Sequence, residues 1–154
     1  MLTDGQVYGA IAQARAGVLS DMLAKASLNF EGVEIIRKPH QVRIMLRLRD
    51  SVDNAPFNLG DVLATEAEVR FRGVRAAMVV MGDEPSRALM GALALAAWRS
   101  DPACHAIFSE TLNGEAALRR ESAEKMWAAI AQSRVEFEGG AIEAYSAADR
   151  TKGR

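Results

Sequence analysis

Gln41-Val42-Arg43-Ile44-Met45-Leu46-Arg47-Leu48-Arg49 alternates without a break, and this stretch decides the class of the fold. Successive side chains of a β-strand point to opposite faces, so a period of two is strand periodicity. Val42, Ile44, Leu46 and Leu48 fall on one face, and Arg43, Met45, Arg47 and Arg49 on the other. The reading is a strand with one buried face and one basic face.

Upstream, Val33 to Arg37 is a short β-branched run. Proline has no N–H for a central ladder, so Lys38–His40 around Pro39 reads as a turn that separates two strands. Before it, Thr3 and Gln6 have the spacing of a capping box. Val7, Ile11, Ala14, Val18 and Met22 then recur at helical spacing, which predicts one helix over 4–26. Downstream, Asp50 to Asn58, with Pro56, reads as a polar loop. Leu63, Thr65, Ala67, Val69 and Phe71 share one face of a third strand, and Glu66, Glu68 and Arg70 the opposite one. Arg72-Gly73 reads as a tight reversal, because glycine takes positive φ freely. Val74 to Met81 is the fourth strand, Asp83 the expected N-cap of a helix over 84–99, and Pro85 is tolerated in that helix's first turn.

The helix over 84–99 is apolar on nearly every side, with Leu89, Met90, Leu93, Leu95 and Trp98 among its large residues. Such a helix is buried on more than one face, either in its own core or against another chain. Leu89, Met90, Leu93 and Trp98 are the candidate interface. A long helical stretch follows Pro102, with Gly114 a point of interruption and Ile107, Leu112, Leu118, Met126, Trp127 and Ile130 as apolar positions. The expected architecture is α+β: an N-terminal helix, a four-stranded antiparallel sheet, and C-terminal helices packed on its apolar face. Residues 1–138 form one domain, and 139–154, after Gly139-Gly140, a loose tail.

The chain has 154 residues, with 19 Lys and Arg against 20 Asp and Glu and a formal net charge of -1. No global field draws it to nucleic acid or to a membrane surface. The near-apolar run from Ala88 to Trp98 is shorter than the about 20 residues that span a bilayer, and the N-terminus lacks the pattern of a secretory signal. With one cysteine, Cys104, an internal disulfide is ruled out. A soluble, cytoplasmic protein is the expectation.

Chemistry-bearing patterns are sparse. The glycines lack Walker or Rossmann spacing, and there is no nucleophile elbow or zinc-protease helix. No catalytic residue, metal ligand or cofactor is assigned. Cys104 and His105 are neighbours that point in different directions on a helix, a buried thiol beside a surface imidazole. Arg43, Arg47 and Arg49 form a basic strand face suited to phosphate oxygens. Glu66 and Glu68 on the next strand offer the competing explanation, cross-strand ion pairs. Asp83, Glu84 and Arg87 at a helix start read as capping residues and not as an anion site.

Several stretches, in the right order along the chain, resemble a known family. Ala55-Pro56-Phe57-Asn58-Leu59-Gly60-Asp61-Val62 is similar to the PFNLGE-type stretch of PhnG proteins, the small G-type subunits of the bacterial carbon–phosphorus lyase core complex. Glu34-Ile35-Ile36-Arg37 resembles that family's first strand, Val69-Arg70-Phe71 and Val79-Val80-Met81-Gly82 its third and fourth, and Ser133-Arg134-Val135-Glu136-Phe137 its closing S/T-R-V-D/E-F motif. The resemblance runs over about 8–138. The chain departs from the family at three points. Where the family carries a basic G-R-D-K-R-H-A-like segment, this chain has Gly82-Asp83-Glu84-Pro85-Ser86-Arg87-Ala88. The turn at Arg72-Gly73 is shorter, and Phe137 stands alone where an aromatic pair is expected after Val135.

The resemblance implies an accessory subunit that works with I-, H- and J-type subunits in phosphonate catabolism. That assembly makes ribose 1-methylphosphonate 5-triphosphate from ATP and a phosphonate, and this chain does not itself carry the chemistry. In isolation a homo-oligomer is expected, since self-association covers a partnerless interface. The alternative reading is a free-standing phosphate- or nucleotide-binding module that uses Arg43, Arg47 and Arg49.

Overall fold

The computed structural model describes residues 2–133. Helix α1 spans Asp4–Gln13 and α2 spans Ala16–Lys25; strands β1, Glu34–Arg49, β2, Pro56–Phe71, and β3, Val74–Met81, follow; α3, Pro85–Ser100, and α4, Cys104–Gln132, complete the order. By its internal contacts the chain divides into a body of residues 1–119 and a second unit that begins at Arg120. The α+β class stands, but among the described residues the sheet has three strands, in the order β1-β2-β3, not four. Both junctions are antiparallel.

The missing strand boundary is at Pro39. The runs before and after it are one strand, because β1 lies at the sheet edge, where a proline's absent N–H costs no ladder bond. Two register shifts, between Ile35 and Arg37 and between Arg37 and His40, absorb the irregularity as bulges. The expected loop is also shorter. Asp50 N–H donates to Ala55 O at 2.9 Å, and β2 starts at Pro56. Asn54, at φ 54°, takes the left-handed position of this turn.

The single helix expected over 4–26 is two. Ala14 (φ -70°, ψ 148°) and Arg15 (φ -70°, ψ 150°) are extended. The capping box of Thr3 and Gln6 forms at the start of α1. The break changes which residues face inward: Val7, Ile11 and Ala14 are buried before it, and Leu19, Met22 and Leu23 after it. Val18, which continues the first stripe in sequence, instead lines a surface groove. Gly114 does not interrupt α4, and the N-cap of α3 is Glu84, not Asp83. Glu84 makes no side-chain cap; its N–H donates to Thr65 Oγ1 at 2.9 Å, and Thr65 Oγ1–H donates to Gly82 O at 2.7 Å. That pair of bonds fixes the entry of α3 over β2.

α3 lies on the face of the sheet formed by Thr65, Ala67, Val69 and Phe71 of β2 with Ala76, Met78 and Val80 of β3, all buried. α1 and α2 pack against α3, and α1 also touches β3. The first turns of α4 add Cys104, Phe108 and Leu112 to the same core. Gly91 is the point of closest approach: a Cβ there would stand 2.8 Å from Met78 Cγ and 3.3 Å from Ile11 Cγ2. The Arg72-Gly73 reversal is as expected, with both residues at positive φ (48° and 78°). No helix among the described residues is long and apolar enough to cross a membrane.

The tail over 139–154 and the closing motif from Arg134 onward lie outside the described residues.

Gly91→Ala is expected to lower unfolding stability by about 1 kcal/mol: overpacking costs about 1–3 kcal/mol, and the helix-propensity gain returns up to about 1. Gly91→Val, larger and β-branched, is expected to cost more. Chemical denaturation of both variants checks the order wild type, Ala, Val.

Candidate functional site

β3 covers only the half of β2 from Ala64 to Phe71. The other half, from Pro56 to Leu63, pairs with β1 alone, so residues 43–49 and 56–63 form a two-stranded arm. The register decides what each side of the arm presents. Val42 stands opposite Ala64, Ile44 opposite Val62, Leu46 opposite Gly60 and Leu48 opposite Phe57. Directly opposed residues share a face. This face continues through Glu66 and Glu68 on β2 and Met81 and Val79 on β3, and so looks away from α3.

The apolar half of the opening alternation is therefore not packed under the helices, as expected from sequence. Ile44 and Leu48 are each 40% exposed, Phe57 43% and Met81 62%. The same outer face is polar at its other end, and there the arginines are paired with glutamates. Arg70 bonds Glu34 at 2.7 Å, Arg37 bonds Glu66 at 2.9 Å and Arg75 bonds Glu68 at 2.6 Å. His40 Nε2 lies 3.6 Å from Glu66. The outer sheet face thus has a self-neutralised polar end and an unpartnered apolar end. Contiguous exposed apolar surface of this kind marks an interaction site.

Arg43, Arg47 and Arg49 occupy the opposite face of the arm, together with Met45. Their register partners are Leu63, Asn58 and Pro56. The competing explanation, pairing with Glu66 and Glu68, is therefore corrected: those carboxylates face the other way and belong to Arg37, His40 and Arg75. Among the described residues no ion pair forms at Arg43, Arg47 or Arg49. Arg49 Nη1 donates to Asn54 O at 3.0 Å, which braces it against the turn. A shallow depression of about 250 Å³ is lined by Arg47, Leu48, Arg49 and Pro56.

The candidate interface residues of α3 are placed differently. Leu89, Met90 and Leu93 are partly buried against the core. Trp98 is buried and stacks on His105, ring centroids 3.9 Å apart, and its ring centroid lies 6.4 Å from that of Phe108. His105 is a packed ring and not a surface imidazole: its Nε2–H donates to Trp98 O at 2.9 Å. Beside it Cys104 is buried, and desolvation pushes its thiol above the ordinary value, so it stays protonated and unreactive near neutrality. Arg87 reaches Ala12 O at 3.1 Å and lies 3.6 Å from Glu84, which makes the start of α3 a structural junction. No group of three His, Cys, Asp or Glu side chains among the described residues could hold a metal ion.

A feature that sequence reasoning missed is the link between the helix break and α4. Arg15 Nε and Nη2 donate to the two carboxylate oxygens of Glu115 at 2.9 and 2.8 Å. Glu115 is buried, and the Arg15 guanidinium holds its carboxyl below the usual range. A spacing of 100 residues leaves no local signal. The pair edges a groove of about 520 Å³, lined also by Val18, Asp21, Lys25 and Ile107. In the second unit, the end of α4 carries Met126, Trp127 and Ile130, all exposed, at helical spacing.

The family model described as phosphonate metabolism protein PhnG matches residues 5–139. No curated protein matches the chain.

The pairing of Glu115 sets a pH prediction. Its folded carboxyl is depressed below the ordinary value of 4.5, so the stability it contributes is present above that pH and lost as pH falls through the folded value. Asp4, held down by Arg99, adds a loss of the same sign below 3.8. Thermal unfolding followed from pH 7 to pH 3 is expected to give a steeper acid fall for wild type than for Glu115→Gln.

Proposed function

The chain belongs to the PhnG family of phosphonate metabolism proteins, and on that premise we propose that it is an accessory, structural subunit of the complex that makes ribose 1-methylphosphonate 5-triphosphate from ATP and a phosphonate. The observation that carries the reading is the apolar end of the outer sheet face. Ile44, Leu48, Phe57 and Met81 each stand 40% or more exposed on a hydrogen-bonded platform. Such a surface is costly for a protein that works alone, and useful to one completed by another chain.

The partner is the I-type subunit, with the H- and J-type subunits completing the assembly in the cytoplasm. In this reading the I-type subunit performs the exchange at the ribose, the J-type subunit later breaks the C–P bond, and this chain supplies binding surface. Met126, Trp127 and Ile130 at the end of α4 are a second apolar strip open to a partner. On α3, Leu89, Met90 and Leu93 remain within reach of solvent, whereas Trp98 is enclosed.

Co-expression with an I-type subunit is expected to yield a stable complex on size exclusion. Full burial of a leucine or isoleucine contributes about 1.5–3 kcal/mol, so Ile44→Asp or Leu48→Asp is expected to weaken the complex by roughly 30-fold or more. Wild-type association that these variants leave unchanged would remove the arm from the interface; no association at all would remove the subunit reading. Alone, the wild-type chain is expected to self-associate through the same face. Light scattering should then give a mass above the single-chain 16.6 kDa, and Ile44→Asp should restore that value.

A further inference from the structure

We propose that the second face of the arm is a binding site for a condensed phosphate chain, such as the triphosphate of a nucleotide, with Arg47 and Arg49 as its principal ligands and Arg43 as its extension. The inference goes beyond the subunit reading and does not depend on it, because the site lies wholly within this chain.

Three observations point to it. The arginines share one face, and the register gives them Leu63, Asn58 and Pro56 as partners, none of which is a carboxylate. Arginine surfaces that serve only solubility are commonly matched by nearby acids, as every arginine on the outer face of this same sheet is. Arg47 and Arg49 also wall a depression, and the bond from Arg49 to Asn54 O holds one guanidinium at its rim. A preformed fork loses less entropy on binding than a free one.

Spacing selects the class of anion. Alternate residues of a strand stand roughly 7 Å apart, so Arg47 and Arg49 offer two separated forks, and Arg43 lies roughly 13 Å from Arg47 along the same line. One orthophosphate cannot engage such a row. A linear polyanion with several oxygens can, each fork accepting a bidentate pair. Asp61 is the one acid on this face of the arm, opposite Met45, and its charge opposes the ligand.

Isothermal titration of the isolated chain at low salt tests the site with sodium tripolyphosphate, ATP and orthophosphate. Tripolyphosphate and ATP are expected to bind and orthophosphate to bind far more weakly, with affinity falling as salt rises. Arg47→Ala is expected to weaken binding by about tenfold, the loss of one charge-assisted pair at an exposed site. Asp61→Asn is expected to tighten it by about threefold. Both positions are exposed, so the variants should keep the wild-type melting temperature. The proposal is overturned if tripolyphosphate gives no heat, if orthophosphate binds equally well, or if Arg47→Ala with Arg49→Ala leaves the affinity unchanged. It is also overturned if the double variant loses only its hold on the I-type subunit, because the arginines would then be a protein contact. Retained co-purification of a double variant that no longer binds tripolyphosphate supports the site and leaves the subunit reading intact.

Discussion

Gly91 brings the backbone of α3 so close to Met78 and Ile11 that no side chain fits between them. That contact seats the helix on Ala67, Val69, Ala76 and Val80, a floor of small and medium residues suited to a close approach. Thr65 completes the seating by bonding both Gly82 O and Glu84 N–H at the point where β3 turns into α3. Once α3 occupies that face, the helices of the body, residues 1–119, can bury only one side of the sheet. A short β3 limits how much of β2 belongs to the core. The rest of β2 continues with β1 as an arm.

The arm then presents two unlike surfaces on one ribbon. Its outer side is apolar and merges with a polar region in which arginines and glutamates neutralise one another. Exposed ion pairs contribute little stability, of the order of 0–1 kcal/mol each, but they give the arginines of that end of the face acidic partners. The apolar end is thereby set apart as a bounded patch. The other side carries arginines without acids opposite them. A two-stranded ribbon can display both because adjacent residues point in opposite directions, so one nine-residue segment serves two surfaces at once.

Several elements were legible in the sequence because their causes are local. The capping box at Thr3 and Gln6, the reversal at Arg72-Gly73, the buried stripe of β2 and the helix after Pro85 all depend on residues within a few positions of one another. Other local patterns mislead. Pro39 suggests a strand break, because sequence does not reveal that β1 is an edge strand with two bulges. Val7, Ile11, Ala14, Val18 and Met22 keep a single helical period although the backbone at Ala14 and Arg15 leaves the helix.

From the chain alone come the α+β class, the positions of most elements, the alternation of β1 and the family membership, because each is written in short-range pattern. Which way β1 turns its apolar side was settled only by the tertiary structure. A period of two names two faces without saying which one the helices will cover; the register against β2 and the seating of α3 on β2 and β3 make that choice. The same register separates Arg43, Arg47 and Arg49 from Glu66 and Glu68, and the fold alone brings Arg15 to Glu115 across 100 residues. Cross-strand and interhelical neighbours are set by long-range packing, for which a linear sequence holds no local signal.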